Sequence, residues 1–389
     1  MEKLNICGMD ECVGCGVCAY VCPVQCVDMQ ADKAGFVYPV YDATQCIHCK
    51  KCEKHCIGLA QNAQIHSSDA YMLYLRDKEI LKDSASGGGA YALAKGIVSN
   101  GGAVYGCCFT ADYQDAEFNL LTNENELVKM QGSKYFETAT MDYRIIKVAL
   151  NQYTKVLVIG LPCQIATVKK LFPDEKNLFT VAIACYGRSA PLIHKVFLQQ
   201  IQEKYQSRII KMSYRDKSKS WLLPSIKICF KNGKKYRIEA NLSDERYLRE
   251  KITRQSCTKC KFKYGYANAD MLIGDLWGAE SLSSFNAGGT SFALLFNDMG
   301  RELLAIASDL LCIEPISAEF VLEHNKAIST SCTLAADRST LIESLTEGNE
   351  IKDIAKCSMG KKKYYLNKII KKSISFLPTF AVAALKKRR

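Results

Sequence analysis

The chain has 389 residues, 48% hydrophobic and 24% charged, which suits two or three domains of about 100–200 residues each and excludes both a long disordered chain and a small disulfide-stapled scaffold. The net charge of +12 invites a nucleic-acid reading, but eight Lys and two Arg with no acid lie between Cys357 and Arg389, so the body is nearly neutral and lacks a basic stripe to track phosphates. Half of the 20 cysteines fall between Cys7 and Cys56.

The first residues show no apolar signal core and no small-residue cleavage site, which predicts a reducing, cytoplasmic setting where crowded cysteines are ligands rather than crosslinks. Residues 12–23 and 46–56 each contain C-x2-C-x2-C-x3-C, an internal repeat of about 34 residues. Three closely spaced thiolates supply three corners of a [4Fe-4S] cube, and a distant cysteine closes the fourth. In the two-cluster arrangement Cys12, Cys15, Cys18 and Cys56 hold one cube, and Cys46, Cys49, Cys52 and Cys22 the other. Gly14 and Gly16 let the backbone wrap close to the cube, and Pro23 turns the chain away. A pair of zinc sites is the competing reading, but zinc sites rarely pair two triple runs each followed by x3-C. Cys7 and Cys26 lie outside the pattern and read as small buried hydrophobes.

Beyond the repeat, Ala70–Leu75 reads as a strand, and Ser86, Gly87 and Gly88 open a helical pattern from Tyr91 to Val98, an arrangement that suits either a phosphate or a plain N-cap. Ala103–Phe109 and Glu117–Leu121 read as strands, followed by a small polar loop with Gly132, Ser133, Lys134 and Tyr135. From Lys155 the order is strand to Gly160, turn, helix Gln164–Phe172, strand Leu178–Ala184, turn, helix Leu192–Tyr205, the signature of a parallel sheet. Cys163 and Cys185 each follow the carboxyl end of a strand, the edge where open α/β sheets bind ligands. A hairpin with an Asn232-Gly233 turn comes next, then Cys257-x-x-Cys260. The pair is open between zinc, dithiol and iron–sulfur chemistry; joined to Cys163 and Cys185 it would complete a third four-thiolate set, a [4Fe-4S] site with structural zinc as its alternative.

The series of two ferredoxin runs, Ser86-Gly87-Gly88, Gly132–Tyr135, Gly160-Leu161-Pro162-Cys163-Gln164, Cys185-Tyr186-Gly187, Cys257-x-x-Cys260 and Gly274-Asp275-Leu276-Trp277-Gly278 resembles the coenzyme F420 hydrogenase/dehydrogenase beta-subunit family over roughly residues 10–300. The resemblance implies an iron–sulfur flavoprotein: FAD exchanges a hydride equivalent with a two-electron carrier of deazaflavin F420 type or similar, and clusters pass single electrons. It makes Ser86, Gly87, Gly88, Gly132, Ser133, Lys134 and Tyr135 flavin-site candidates, and Cys163, Cys185, Cys257 and Cys260 cluster ligands. Leu161 stands where members usually carry a small hydroxyl residue, and Cys185-Tyr186-Gly187 is a looser version of the family motif. Relatives resemble reductases attached to surface-polysaccharide pathways, where reduced ferredoxin could serve a sugar-linked acceptor.

The expected organisation is an α+β two-cluster ferredoxin domain over residues 1–66, followed by an α/β flavoprotein domain with a partly parallel sheet. Its first part is 67–150, its C-terminal part with the third four-cysteine site is 151–330, and 331–389 is a helical basic tail. In that tail Tyr365, Leu366, Ile369 and Ile370 share one helical face among lysines, and Ser373–Leu385 is apolar but too short to span a bilayer. Peripheral contact with anionic lipid is one reading and a partner-docking or solvated helix the other. The leading function is an oxidoreductase working with a redox partner protein or a hydride-carrier small molecule, with no nucleic acid; a non-enzymatic electron carrier or assembly subunit is the alternative.

Overall fold

The computed structural model describes residues 2–3, 6–61, 64–67, 69–265, 267–377 and 382. The ferredoxin segment carries a small antiparallel sheet of β1 (Glu2–Lys3), β2 (Val27–Ala31) and β3 (Val37–Tyr41), in the order β1-β3-β2. Each cysteine run leads into one short helix, Val17–Tyr20 or Lys51–His55, which carries the third cysteine of the run.

The two runs repeat in backbone as well as in sequence. Gly14 and Gly16 have φ of 60° and 76°, and the equivalent His48 and Lys50 have 52° and 57°. A Cβ on Gly14 would lie 2.7 Å from the Arg254 guanidinium, so glycine is required there by an incoming side chain as well as by the left-handed turn. The second run lies at the surface, where His48 and Lys50 are exposed and their side chains have room.

The main sheet has eight strands: β4 (Asp69–Leu75), β5 (Ala103–Phe109), β6 (Ala116–Leu121), β7 (Val156–Gly160), β8 (Leu178–Ile183), β12 (Met271–Asp275), β13 (Ser291–Leu295) and β14 (Leu311–Ile316). Their order is β14-β4-β13-β12-β8-β7-β5-β6, so strands from 67–150 and from 151–330 build one sheet. The neighbours β12, β8, β7 and β5 run parallel and the remaining pairs antiparallel, giving the partly parallel sheet expected. Val156, Leu157, Val158 and Ile159 are all buried, as a central parallel strand covered on both faces requires. A separate three-stranded sheet, β11 (Lys235–Glu239), β10 (Ser225–Phe230) and β9 (Ile209–Asp216), contains the expected hairpin, with Gly233 at φ 82° in its turn.

Two helix starts differ from the sequence reading. The helices begin at Pro162 and Pro191, because proline at the first helical position has its φ already set and loses no hydrogen bond there. Cys163 therefore sits in the first turn of a helix rather than in a loop.

Candidate functional site

The parallel register aligns Gly160 with Ala182 and Ile183 with Ile273, so Cys163 and Cys185 each stand three residues past an aligned pair on adjacent strands. They emerge on one carboxyl rim. From the segment after β11, Cys257 and Cys260 come to the same place: the Cys163 thiol interacts electrostatically with Cys260 and Cys257, and Cys185 with all three others. Burial pushes the Cys163 thiol up to about 12 and the Cys185 thiol up as well, so thiolates here need a cation to hold them. Cys163, Cys257, Cys260, Arg188 and Phe262 line one shallow pocket.

Cys12, Cys15, Cys18 and Cys56 are gathered in the ferredoxin segment, where Cys15 and Cys18 each interact with both Cys12 and Cys56. Cys22, Cys46 and Cys52 pack around one apolar cluster containing Cys18, Cys26 and Val27, and Cys49, which interacts with Cys52, is exposed. Among the described residues no group of three His, Cys, Asp or Glu closes around a point as a single ion requires; a cube spreads its thiolates over its corners instead.

The first and third sites are neighbours. Cys15, Cys163 and Cys260 pack against one small apolar cluster of Val13, Ile57, Ala166 and Phe262. A buried ion network ties them further. Arg254 bonds Glu137 at 2.7 Å, Arg188 lies 3.3 Å from the other Glu137 oxygen, and the Arg188 backbone N–H donates to Cys257 Sγ at 3.4 Å. Arg188 also donates to the carbonyl of Val13. Nothing in the local sequence marked Arg188, Arg254 or Glu137, because their partners lie far away in the chain.

Farther along the rim the segments leading into the two candidate loops meet: Gln131 Nε2 donates to Ser84 Oγ at 3.1 Å. Gly87 packs on the sheet edge, where a Cβ would come within 2.4 Å of the Leu73 carbonyl, and its N–H donates to Ser291 Oγ. Gly88, at φ 81°, caps the helix Gly89–Ser99, which has no side-chain cap. The Ser86 hydroxyl donates to the Thr290 carbonyl, and the Ser86 carbonyl accepts from Lys217 Nζ at 2.7 Å. Burial and Arg215 pull Lys217 down to about 7. Gly132 and Ser133 lie half-buried in the second loop, and around a Cβ at Gly132 there is open space.

Lys134 is held within its own loop. Its ammonium donates to the carbonyls of Cys107, Met130 and Gln131 at 3.0, 2.9 and 3.2 Å, which uses all three protons to staple its own loop. The free cationic donors belong instead to Arg215, which sequence reasoning missed. It pairs with Asp275, its Nη1 reaches the Tyr135 hydroxyl at 3.5 Å, and its Nε and Nη2 are buried without partners. Its guanidinium lies 5.7 Å over the Trp277 ring, which stacks on Trp221 at 5.3 Å. The only local signal was the Arg215-Asp216-Lys217 run at the end of β9.

The paired cysteine runs of the ferredoxin segment, joined to a mixed α/β sheet, define an iron–sulfur protein. Residues 11–57 match a family model described as a 4Fe-4S dicluster domain, and residues 153–319 match the model for the C-terminal part of the coenzyme F420 hydrogenase/dehydrogenase beta subunit. This likeness to the coenzyme F420 hydrogenase/dehydrogenase beta-subunit family covers 167 of the 389 residues, all beyond the ferredoxin segment. Among solved structures, a chain of the F420-reducing [NiFe] hydrogenase complex from Methanosarcina barkeri is similar at 19% identity and a TM-score of 0.48, covering 73% of this chain and 95% of its own. No curated protein matches. Among the described residues no helix is long and apolar enough to cross a membrane.

Proposed function

We propose that the chain is an iron–sulfur flavoprotein oxidoreductase that exchanges a hydride equivalent at the Arg215 end of the rim and delivers single electrons through three [4Fe-4S] sites to a redox partner. The observation that carries this reading is the apolar cluster shared by Cys15, Cys163 and Cys260, which puts the first and third thiol sites side by side. The path ends at the second site, where exposed Ile47 and Cys49 offer a surface to a partner protein.

The rim suits FAD. Two orphaned donors on buried Arg215 and the uncapped start of the helix at Gly88 favour an anionic group such as a pyrophosphate. Bound there, a flavin would convert a two-electron transfer into one-electron steps. Asp275 holds Arg215, and the Ser86–Gly88 and Gly132–Tyr135 loops shape the walls. The third cube would be held by Cys163, Cys185, Cys257 and Cys260. The two-electron partner in this reading is a deazaflavin-type carrier, with a sugar-linked acceptor of a polysaccharide pathway as the alternative.

The C-terminal helix Lys361–Ser375 leaves Tyr365, Leu366, Ile369 and Ile370 exposed among lysines, which supports peripheral binding at an anionic, cytoplasmic membrane face. The rest of the apolar stretch, from Pro378 on, lies almost wholly outside the described residues.

Anaerobic analysis of iron, sulfide, zinc and flavin tests the proposal. It expects about twelve iron per chain and one released yellow cofactor. About eight iron plus zinc would replace the third cube with a structural site, and a colourless supernatant would leave an electron carrier.

A further inference from the structure

Two cysteines outside the ligand pattern stand at the cube sites themselves. Cys7 Sγ lies 3.6 Å from Cys56 Sγ and is also in hydrogen-bond contact with Cys12. Cys26 Sγ lies 3.5 Å from Cys22 Sγ and also contacts Cys46. In each case the extra thiol touches the crossing cysteine, which comes from the other run, together with the first cysteine of the triple run. The two contacts occupy corresponding places at the two sites, although Cys7 precedes the first run and Cys26 follows it. The third site repeats the theme more loosely, with buried Cys332 beside Cys257 and its Sγ 3.0 Å from where a Cβ on Gly187 would stand.

Cys26 is buried in an apolar cluster, as expected of a packing group, but this placement also sets both Cys7 and Cys26 against a second sulfur. Packing alone explains an apolar neighbour; it does not explain a fifth sulfur against the crossing ligand at both sites. The crossing cysteine is also the corner whose position depends on the other half of the repeat, since the remaining three share one turn of chain. Any separation of the halves strains that corner first.

We propose that Cys7 and Cys26 are reserve ligands that take over the crossing corner of their cube when Cys56 or Cys22 leaves it. The exchange needs no oxidant or reductant. The iron–sulfur bond to Cys56 breaks as one to Cys7 forms, and the thiol proton of Cys7 passes to the departing Cys56 sulfur, leaving the charge and electron count of the site unchanged. The same holds for Cys26 and Cys22. The inference rests on the reading that these sites hold [4Fe-4S] cubes.

The test uses the full chain, reconstituted anaerobically with iron and sulfide, as wild type, Cys7→Ala, Cys56→Ala and the double variant. Iron and sulfide are counted, and the dithionite-reduced protein is followed by electron paramagnetic resonance. Cys7→Ala and Cys56→Ala are each expected to keep the wild-type iron count, with an altered spectrum for one cube in Cys56→Ala, and the double variant to lose about four iron. Loss of four iron in Cys56→Ala alone, from a wild type that holds its cubes, overturns the proposal at that site. A wild type without cubes instead sinks the underlying functional reading. Should Cys56→Ala fail to fold, the Cys22→Ala, Cys26→Ala and double variants at the more exposed second site give the same comparison, and loss of iron in Cys22→Ala overturns the proposal there.

Discussion

Arg254, with no exposed surface, donates from Nε to the carbonyl of Cys12 at 2.8 Å and from Nη2 toward its Sγ at 3.5 Å, across 242 residues of chain. Its remaining donors reach Glu137 and the Val37 carbonyl, so a side chain from the α/β part is fixed against the first thiolate of the ferredoxin run.

A fixed positive charge at Cys12 favours the more negative, reduced form of a cube held there. Arg254→Gln is expected to lower the midpoint potential of that cube by on the order of 60–120 mV, one or two factors of ten in a one-electron equilibrium. Arg254→Lys, which keeps the charge but loses the fork, should stay nearer to wild type. A redox titration followed by electron paramagnetic resonance reads both, and equal potentials in all three proteins would remove the electrostatic role.

Glu137 neutralises two buried arginines at once. Glu137→Gln leaves both without a counter-charge and should destabilise the protein by about 3–5 kcal/mol. The midpoint of anaerobic denaturant unfolding checks this.

His194 gives a pH dependence of known sign. Its Nδ1 and Nε2 meet the Tyr214 hydroxyl and the Tyr113 carbonyl at 2.7 and 2.8 Å, its ring stacks on Phe136 at 4.0 Å, and burial pulls its pKa from 6.5 to about 4. The unfolded chain binds a proton that the folded one refuses, so this contribution is complete above pH 6.5 and drains as pH falls toward 4, by about 2 kcal/mol at pH 5. His194→Gln should be less stable at neutral pH but lose less on acidification, as unfolding midpoints at pH 7.5 and 5 would reveal.

Removing Arg215 should cost flavin affinity rather than iron. Arg215→Ala is expected to weaken FAD binding about tenfold to hundredfold, the loss of one or two charge-assisted hydrogen bonds, in a fluorescence titration of flavin-free protein. Unchanged affinity at full iron content would move the flavin away from this end of the rim.

The tail makes a separate claim. Ile369→Glu with Ile370→Glu removes two exposed apolar contacts and adds two negative charges, and should reduce co-sedimentation with phosphatidylglycerol vesicles at least tenfold. Wild-type protein that fails to sediment with such vesicles at low salt would remove the membrane reading.

The cysteine runs were legible because a cube takes its ligands from a short stretch of chain, so spacing alone encodes three of its corners, and the repeat of left-handed turns at 14 and 16 and at 48 and 50 follows from that local demand. The parallel strands were legible for a similar reason: burial on both faces leaves a continuous apolar run such as Val156–Ile159. Tertiary structure alone decided which charges meet sulfur, that Lys134 staples its loop while Arg215 keeps free donors, and that Cys7 and Cys26 stand against Cys56 and Cys22. These relationships join residues up to 242 positions apart, and their strength comes from shared burial, which appears only when the sheet rim and the ferredoxin segment close on each other.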